Sequence, residues 1–196
     1  MRLASRTVIL CAAAVSLAGC LSFGSEPPES LLTLTSERTA SAGQPTQGTG
    51  QTALTVVEPT APQRLSVNRV PVQVDDASVA YLKDALWVEK PTRLFRRLLS
   101  ETIRASSNRV VVDGFDPTLA TGDQLRGSLV DFGYDARTSS VVVRFDAVRE
   151  DGADVITTQR FESVVPGVPA EVGPVGDALN RAANDVAQQV AQWIGS

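Results

Sequence analysis

Two stretches of this 196-residue chain repeat apolar side chains at helical spacing, and each offers a single stripe for burial. In the first, Leu94, Phe95, Leu98, Leu99 and Ile103 recur behind Pro91, while Arg93, Arg96, Arg97, Glu101 and Arg104 fall elsewhere. Pro91 stands where a helix start tolerates a residue without an N–H. In the second, Val175, Leu179, Ala182, Ala183, Val186, Val190 and Ile194 share one face, with Asp177, Arg181, Asp185, Gln188 and Gln192 on others. A helix with one apolar stripe must cover another apolar surface, so the rest of the chain has to supply it.

The remaining apolar runs read as strands. Leu54 to Val57 is stopped by Glu58-Pro59. Asn68 to Val74 and Val79 to Val88 flank the turn formers Asp75-Asp76-Ala77-Ser78, which is a hairpin pattern. Arg109 to Val112 is ended by Asp113-Gly114. Leu125 to Tyr134 is longer, and its apolar residues change parity between Leu125/Leu129 and Val130/Phe132/Tyr134, which predicts a bulge or bend. Val141, Val143, Phe145 and Ala147 alternate with Val142, Arg144 and Asp146, and Val155 to Val164 returns after Asp151-Gly152. These last three runs predict an antiparallel meander. The expected architecture is α+β: a mostly antiparallel sheet with two amphipathic helices packed on one face, a two-layer sandwich. Nothing repeats at a fixed period.

The N-terminus carries a different signal. Arg2 and Arg6 precede an apolar run from Val8 to Leu17, which ends in Leu17-Ala18-Gly19-Cys20. A basic start, a short apolar core and a small-residue exit make a secretory signal, and the run is too short to span ~30 Å of hydrocarbon. The exit resembles the lipobox of bacterial lipoproteins, which implies that Cys20 is lipidated on sulfur and becomes the new N-terminus. The expected organisation is a signal peptide at 1–19, a lipidated cysteine and flexible tether at 20–52 with a possible short strand at 31–35, and a folded domain at 53–196. Residues 36–52 are rich in Ser, Thr, Gly and Gln and read as a mobile loop. Were all of 21–52 unstructured, the tether would span roughly 30 Å.

Composition narrows the function. Removal of Arg2 and Arg6 leaves 16 basic against 22 acidic residues, a formal charge of −6. Such a chain has no overall electrostatic footprint for nucleic acid. Of its 2 cysteines, Cys11 lies in the signal and Cys20 takes the lipid, so the domain is expected to hold neither thiol nor disulfide. There is no histidine, which removes the usual general base and the commonest metal ligand. No Gly-rich phosphate loop and no metal-ligand spacing occur, so the sequence gives no cofactor and no metal site. Asp75-Asp76 and Glu150-Asp151-Gly152 read as solvated turns. The expected class is therefore not an enzyme.

Two groups stand out as candidate contacts. Arg93, Arg97 and Arg104 fall on one helix face and suit either plain solvation or an acidic partner or lipid headgroup. Tyr81 and Trp87 lie six residues apart on one predicted strand, hence on one face if it is regular. They suit core packing, or an apolar groove for an acyl chain or partner segment.

With these elements in order, the chain resembles the ABC-type transport auxiliary lipoproteins. The resemblance rests on the lipobox, on Leu31-Leu32-Thr33-Leu34, on Ala53 to Pro59, and on Asn68-Arg69-Val70 through Tyr81 to Ala85-Leu86-Trp87-Val88-Glu89-Lys90-Pro91. Asp123-Gln124-Leu125-Arg126-Gly127 through Phe132 and the Ala-rich last helix extend it. An early Tyr-x-Leu-like element of the family reads Leu32-Thr33-Leu34 here. The resemblance implies a non-enzymatic envelope component that accompanies an ABC permease, its ATPase and an MCE-domain protein in moving lipids. Leu21, rather than an aspartate, follows Cys20, which by the sorting pattern of such lipoproteins implies the periplasmic face of the outer membrane. A homo-oligomer is compatible with a sheet that hides one face and offers the other. The alternatives are an assembly lipoprotein of an outer-membrane machine and, less compatible with the missing histidine, a lipid hydrolase.

Overall fold

The computed structural model describes residues 30–107, 109–114, 122–153 and 155–195. The elements in chain order are β1 (Leu54–Val56), a 3-10 turn (Gln63–Leu65), β2 (Arg69–Gln73), β3 (Val79–Leu86), α1 (Pro91–Ser106), β4 (Val111–Asp113), β5 (Asp123–Asp135), β6 (Ser140–Glu150), β7 (Ile156–Val165) and α2 (Val172–Gly195). Cys20 and the signal lie outside the described residues.

β5 organises the sheet. Along one edge it pairs antiparallel with β6 for its whole length, and β6 pairs antiparallel with β7. The other edge is shared: β1 pairs parallel with its first residues, Thr60 bridges to Ser128 in the middle, and β2 pairs parallel with Tyr134 and Asp135. β4 adds outside β1, parallel, and β3 outside β2, antiparallel. The α+β content and the two helices are as expected, but the sheet is mixed and curled into a half-barrel, where the sequence predicts a mostly antiparallel sheet in a two-layer sandwich. The parallel pairings need long crossovers, here through the β2–β3 hairpin and α1. No turn signal marks such a connection, and strands of three residues carry little periodicity of their own.

The parity change in β5 is a bulge. Leu129 faces Phe145, yet Asp131 faces Arg144, leaving Val130 as the extra residue. Leu125 and Leu129 before the bulge, and Phe132 and Tyr134 after it, consequently all point into the core. The bulge sits opposite β6, whose Val141, Val143, Phe145 and Ala147 are buried in strict alternation. The rings of Trp87, Phe132, Phe95 and Phe145 form a continuous chain with centroids 5.5, 6.3 and 5.3 Å apart. Gly127 makes room for the last ring: a Cβ there would stand 2.6 Å from two Phe145 ring carbons.

Both helices lay their apolar stripes on this core. α1 buries Leu94, Phe95, Leu98, Leu99 and Ile103, and α2 buries Val175, Leu179, Ala182, Ala183, Val186, Val190 and Ile194. Pro91 opens α1, and the Ser107 hydroxyl closes it by donating to the Ile103 carbonyl at 2.9 Å.

Residues 30–40 are fastened to this body. Leu32 bridges Trp87, its N–H donating to Leu86 O at 2.7 Å and its carbonyl accepting from Val88 N at 2.9 Å. Asn184 is buried on α2; its Nδ2 donates to Thr35 O at 2.9 Å and its Oδ1 accepts from Glu37 N at 2.8 Å. Asn180 Oδ1 accepts from Thr35 N, and Glu101 Oε1 from Ala40 N, each at 2.8 Å. The two asparagines thus read the segment's backbone much as a neighbouring strand would. The stretch at 31–35 joins the sheet only through the single bridge at Leu32, and the start of the expected loop, at residues 36–40, is tied to the helices.

Gly127→Ala is expected to cost about 1–3 kcal/mol of folding free energy by forcing Phe145 and the β6 backbone aside. A lower urea midpoint at unchanged slope would show this; an unchanged midpoint would mean that the ring does not depend on the missing Cβ.

Candidate functional site

The five candidate residues are not brought together. Trp87 is 2% exposed and packs on Phe132, and its Nε1 has no hydrogen-bond partner among the described residues. Tyr81 is half-buried beneath the Arg69 guanidinium, which sits 4.7 Å above the ring centroid. The same-face expectation fails because β3 is irregular. Asp84 has φ 58°, and the β2–β3 register shifts between Arg69↔Leu86 and Pro71↔Tyr81. That shift of three residues reverses side-chain parity, so Trp87 turns inward with Val70 while Tyr81 stays with Arg69.

Arg93, Arg97 and Arg104 lie along α1, and each meets a carboxylate. Arg93 Nε is 3.7 Å from Glu58 Oε2, Arg97 bonds Glu89, and Arg104 Nη1 donates to Glu101 Oε2 at 2.6 Å. Arg96, on a more sheltered side, lies 3.5 Å from Asp113. The helix therefore presents balanced ion pairs, of which those of Arg93 and Arg97 are the more open to solvent. Exposed pairs of this kind contribute little to stability, about 0–1 kcal/mol.

The sequence reading missed two charge clusters. On the outer side of the sheet, Arg64 donates to Asp131 at 2.7 Å; Asp131 also bonds Arg144, whose guanidinium reaches Glu162 on β7 at 2.5 Å. Arg160 grips Asp146 through two bonds of 2.6 and 2.7 Å. A cleft of about 340 Å³ opens beside this ladder, lined in part by Arg64, Asp76, Asp131, Asp135, Arg137 and Arg144. The signal was present in the polar positions alternating with the buried ones, but alternation does not say which carboxylate meets which guanidinium. At the other end of β5, Asp123 is 5% exposed and is clamped by Arg109 at 2.8 Å and Arg149 at 2.9 Å. Arg109 also donates to Thr52 O at 3.1 Å, which draws the end of the long loop onto the sheet.

The guanidinium hydrogen bonds from Arg137 hold the Asp135 carboxyl below the usual range, and those from Arg160 do the same for Asp146. The Arg137 and Arg160 guanidiniums are shifted upward in return. Among the described residues no cluster of three or more His, Cys, Asp or Glu side chains is placed to hold a metal. No helix among them is long and apolar enough to cross a membrane.

Residues 33–191 match the family described as ABC-type transport auxiliary lipoprotein component. The chain belongs to this family. The matched region begins within the fastened segment and runs into α2, so it takes in the whole sheet. An uncharacterised protein of known crystal structure superposes with a TM-score of 0.63 at 14% identity, over 84% of this chain and 99% of its own. A Xanthomonas campestris protein of the DUF330 family superposes with a TM-score of 0.66 at 15% identity, over 84% of this chain and 94% of its own. These likenesses are of fold. No curated protein matches in sequence. Membership carries the coarse functional statement: this is an auxiliary lipoprotein of ABC-type transport, held at a membrane.

Two outcomes test the electrostatics. Asp123→Asn, which leaves Arg109 and Arg149 facing an uncharged group, is expected to cost about 3 kcal/mol, read from the urea midpoint. For Asp135 and Asp146 the folded-state pKa lies below the unfolded value, so their stabilisation is complete above that value and is lost as pH falls through the folded one. Replacing both with Asn should flatten the fall of the urea midpoint below about pH 4 and leave its pH dependence above that unchanged. An unaltered acid limb would contradict the assignment.

Proposed function

We propose that this chain is a non-enzymatic, lipid-anchored auxiliary component of an ABC transporter that moves lipids across the cell envelope by docking to an MCE-domain protein. The observation that carries the reading is the family match across residues 33–191. The lipobox at Leu17 to Cys20 supports acylation of Cys20, and Leu21 in place of an aspartate supports the periplasmic face of the outer membrane. The missing histidine and the mutually satisfied charges support a role in contact rather than catalysis.

In this reading the acyl chains hold the domain at the membrane and the outer face of α1, with Arg93 and Arg97, meets the partner. The carboxylates of an acidic partner surface exchange with Glu58 and Glu89 at little net cost, because exposed pairs in water are nearly balanced. A second reading, an assembly lipoprotein without an ABC partner, uses the same anchor and fold.

Crosslinking in intact cells followed by gentle solubilisation and mass spectrometry separates the two. Recovery of an MCE-domain protein with a permease and an ATPase is expected. Recovery of only outer-membrane or cell-wall components would overturn the transport reading. Arg97→Glu is expected to lower recovery of the MCE protein several-fold without a change in thermal stability, and unchanged recovery would remove α1 from the interface.

A further inference from the structure

We infer that the corner formed by residues 30–34 and the end of β3 rests on the bilayer that carries the anchor. The inference builds on the reading of Cys20 as the lipidated residue. The parallel bridge between Leu32 and Trp87 sets the geometry. Leu32 and Trp87 face the core, so Leu31 and Thr33 on one segment, and Leu86 and Val88 on the other, lie on the opposite side of the bridge. Leu31 is 50% exposed and Val88 49% exposed, and Leu86 is half-buried. Glu89 comes next, its carboxylate paired with Arg97, and then Lys90, exposed and without an ion pair among the described residues. Apolar side chains with a flexible lysine beside them suit the headgroup boundary, where the ammonium stays in water while its stem covers apolar surface.

Three observations select the membrane as occupant. The chain runs from Cys20 to Ser30 over roughly ten residues, so even a straight chain places this corner within ~35 Å of the lipid. The corner is where the anchored segment joins the folded body, through Leu32 and the asparagines of α2, so it is the part of the domain held nearest the bilayer. The tether makes that contact intramolecular, and weak apolar contacts then suffice. The other exposed large apolar residues among those described lie elsewhere: Val74 and Val79 at the tip of the β2–β3 hairpin, Val155 and Ile156 (64% exposed) at the start of β7 on the far edge strand of the sheet, and Val164 near the end of that strand.

The test uses the full-length lipoprotein in vesicles of phosphatidylethanolamine and phosphatidylglycerol. An environment-sensitive fluorophore is attached at Val88→Cys, at Leu31→Cys or at Ile156→Cys. Labels at 31 and 88 are expected to shift to the blue and to be quenched several-fold more strongly by quencher-bearing lipids than the label at 156. Equal, water-like emission at all three positions would overturn the inference, as would stronger quenching at 156 than at 88. Cys20→Ser addresses the underlying reading separately: the variant should leave the vesicle pellet, and its retention there would overturn the anchor at Cys20. With Cys20 intact and the protein in the pellet, Leu31→Glu with Val88→Glu should abolish quenching of a label at Thr33→Cys while sedimentation persists. Unchanged quenching in that variant would assign the signal to the anchor alone and overturn the inference.

Discussion

The contact on which the rest of the structure depends is the seating of the Phe145 ring over Gly127. It fixes the register of β6 on β5 at the place where β5 is about to bulge. The extra residue, Val130, then turns Phe132 and Tyr134 onto the side already held by Leu125 and Leu129. Phe132 meets Trp87 and Phe95, so the same few rings join β5, β6, α1 and the segment just after β3 into one core. A regular β5 would have turned Phe132 and Tyr134 to water and left α1 without a surface to cover.

The outer side of the sheet follows from the inner one. With β6 and β7 locked in register, Asp146 falls opposite Arg160 and Arg144 opposite Glu162. The bulge brings Asp131 to Arg144, and Arg64 then reaches it from the 3-10 turn. The result is a charge-balanced ladder, consistent with a net-acidic chain whose arginines are largely committed to carboxylates nearby. Such a face resists non-specific attraction to anionic surfaces, and recognition must then come from shape, from exchange of ion pairs, or from the few apolar residues left outside.

Much of the fold was legible. The stripes of both helices, the β2–β3 hairpin, the β5–β6–β7 meander and the parity change in β5 all follow from local periodicity, and local periodicity is dictated by which face is buried. The parallel pairings of β1, β4 and β2 were not legible, because they join segments far apart in sequence and leave no turn signal. The face shared by Tyr81 and Trp87 was misjudged for a related reason: nothing in Lys83-Asp84-Ala85 announces that Asp84 adopts a positive φ and reverses the parity of the strand. Nor did composition reveal the fastening of residues 30–40, since its side-chain bonds come from Asn180, Asn184 and Glu101, polar residues whose helical positions do not announce a partner segment. The candidate site was legible only as residue types. Arg93, Arg97 and Arg104 do share a helix, but their carboxylate partners come from Glu58, Glu89 and Glu101, two of them outside it.

In the proposed reading, fold, fastening and family together describe a body that acts by contact. The lipoprotein family gives the transporter association, the fastened N-terminal segment gives a fixed point of attachment, and the paired charges give a surface suited to reversible docking. The most direct measurement of the central claim is ATP-driven transfer of a fluorescent phospholipid between membranes reconstituted with the permease, its ATPase and the MCE-domain protein, with and without this lipoprotein. The account predicts that transfer depends on the acylated chain and that the chain alone leaves the phospholipid chemically intact. Transfer at the same rate in its absence would contradict it.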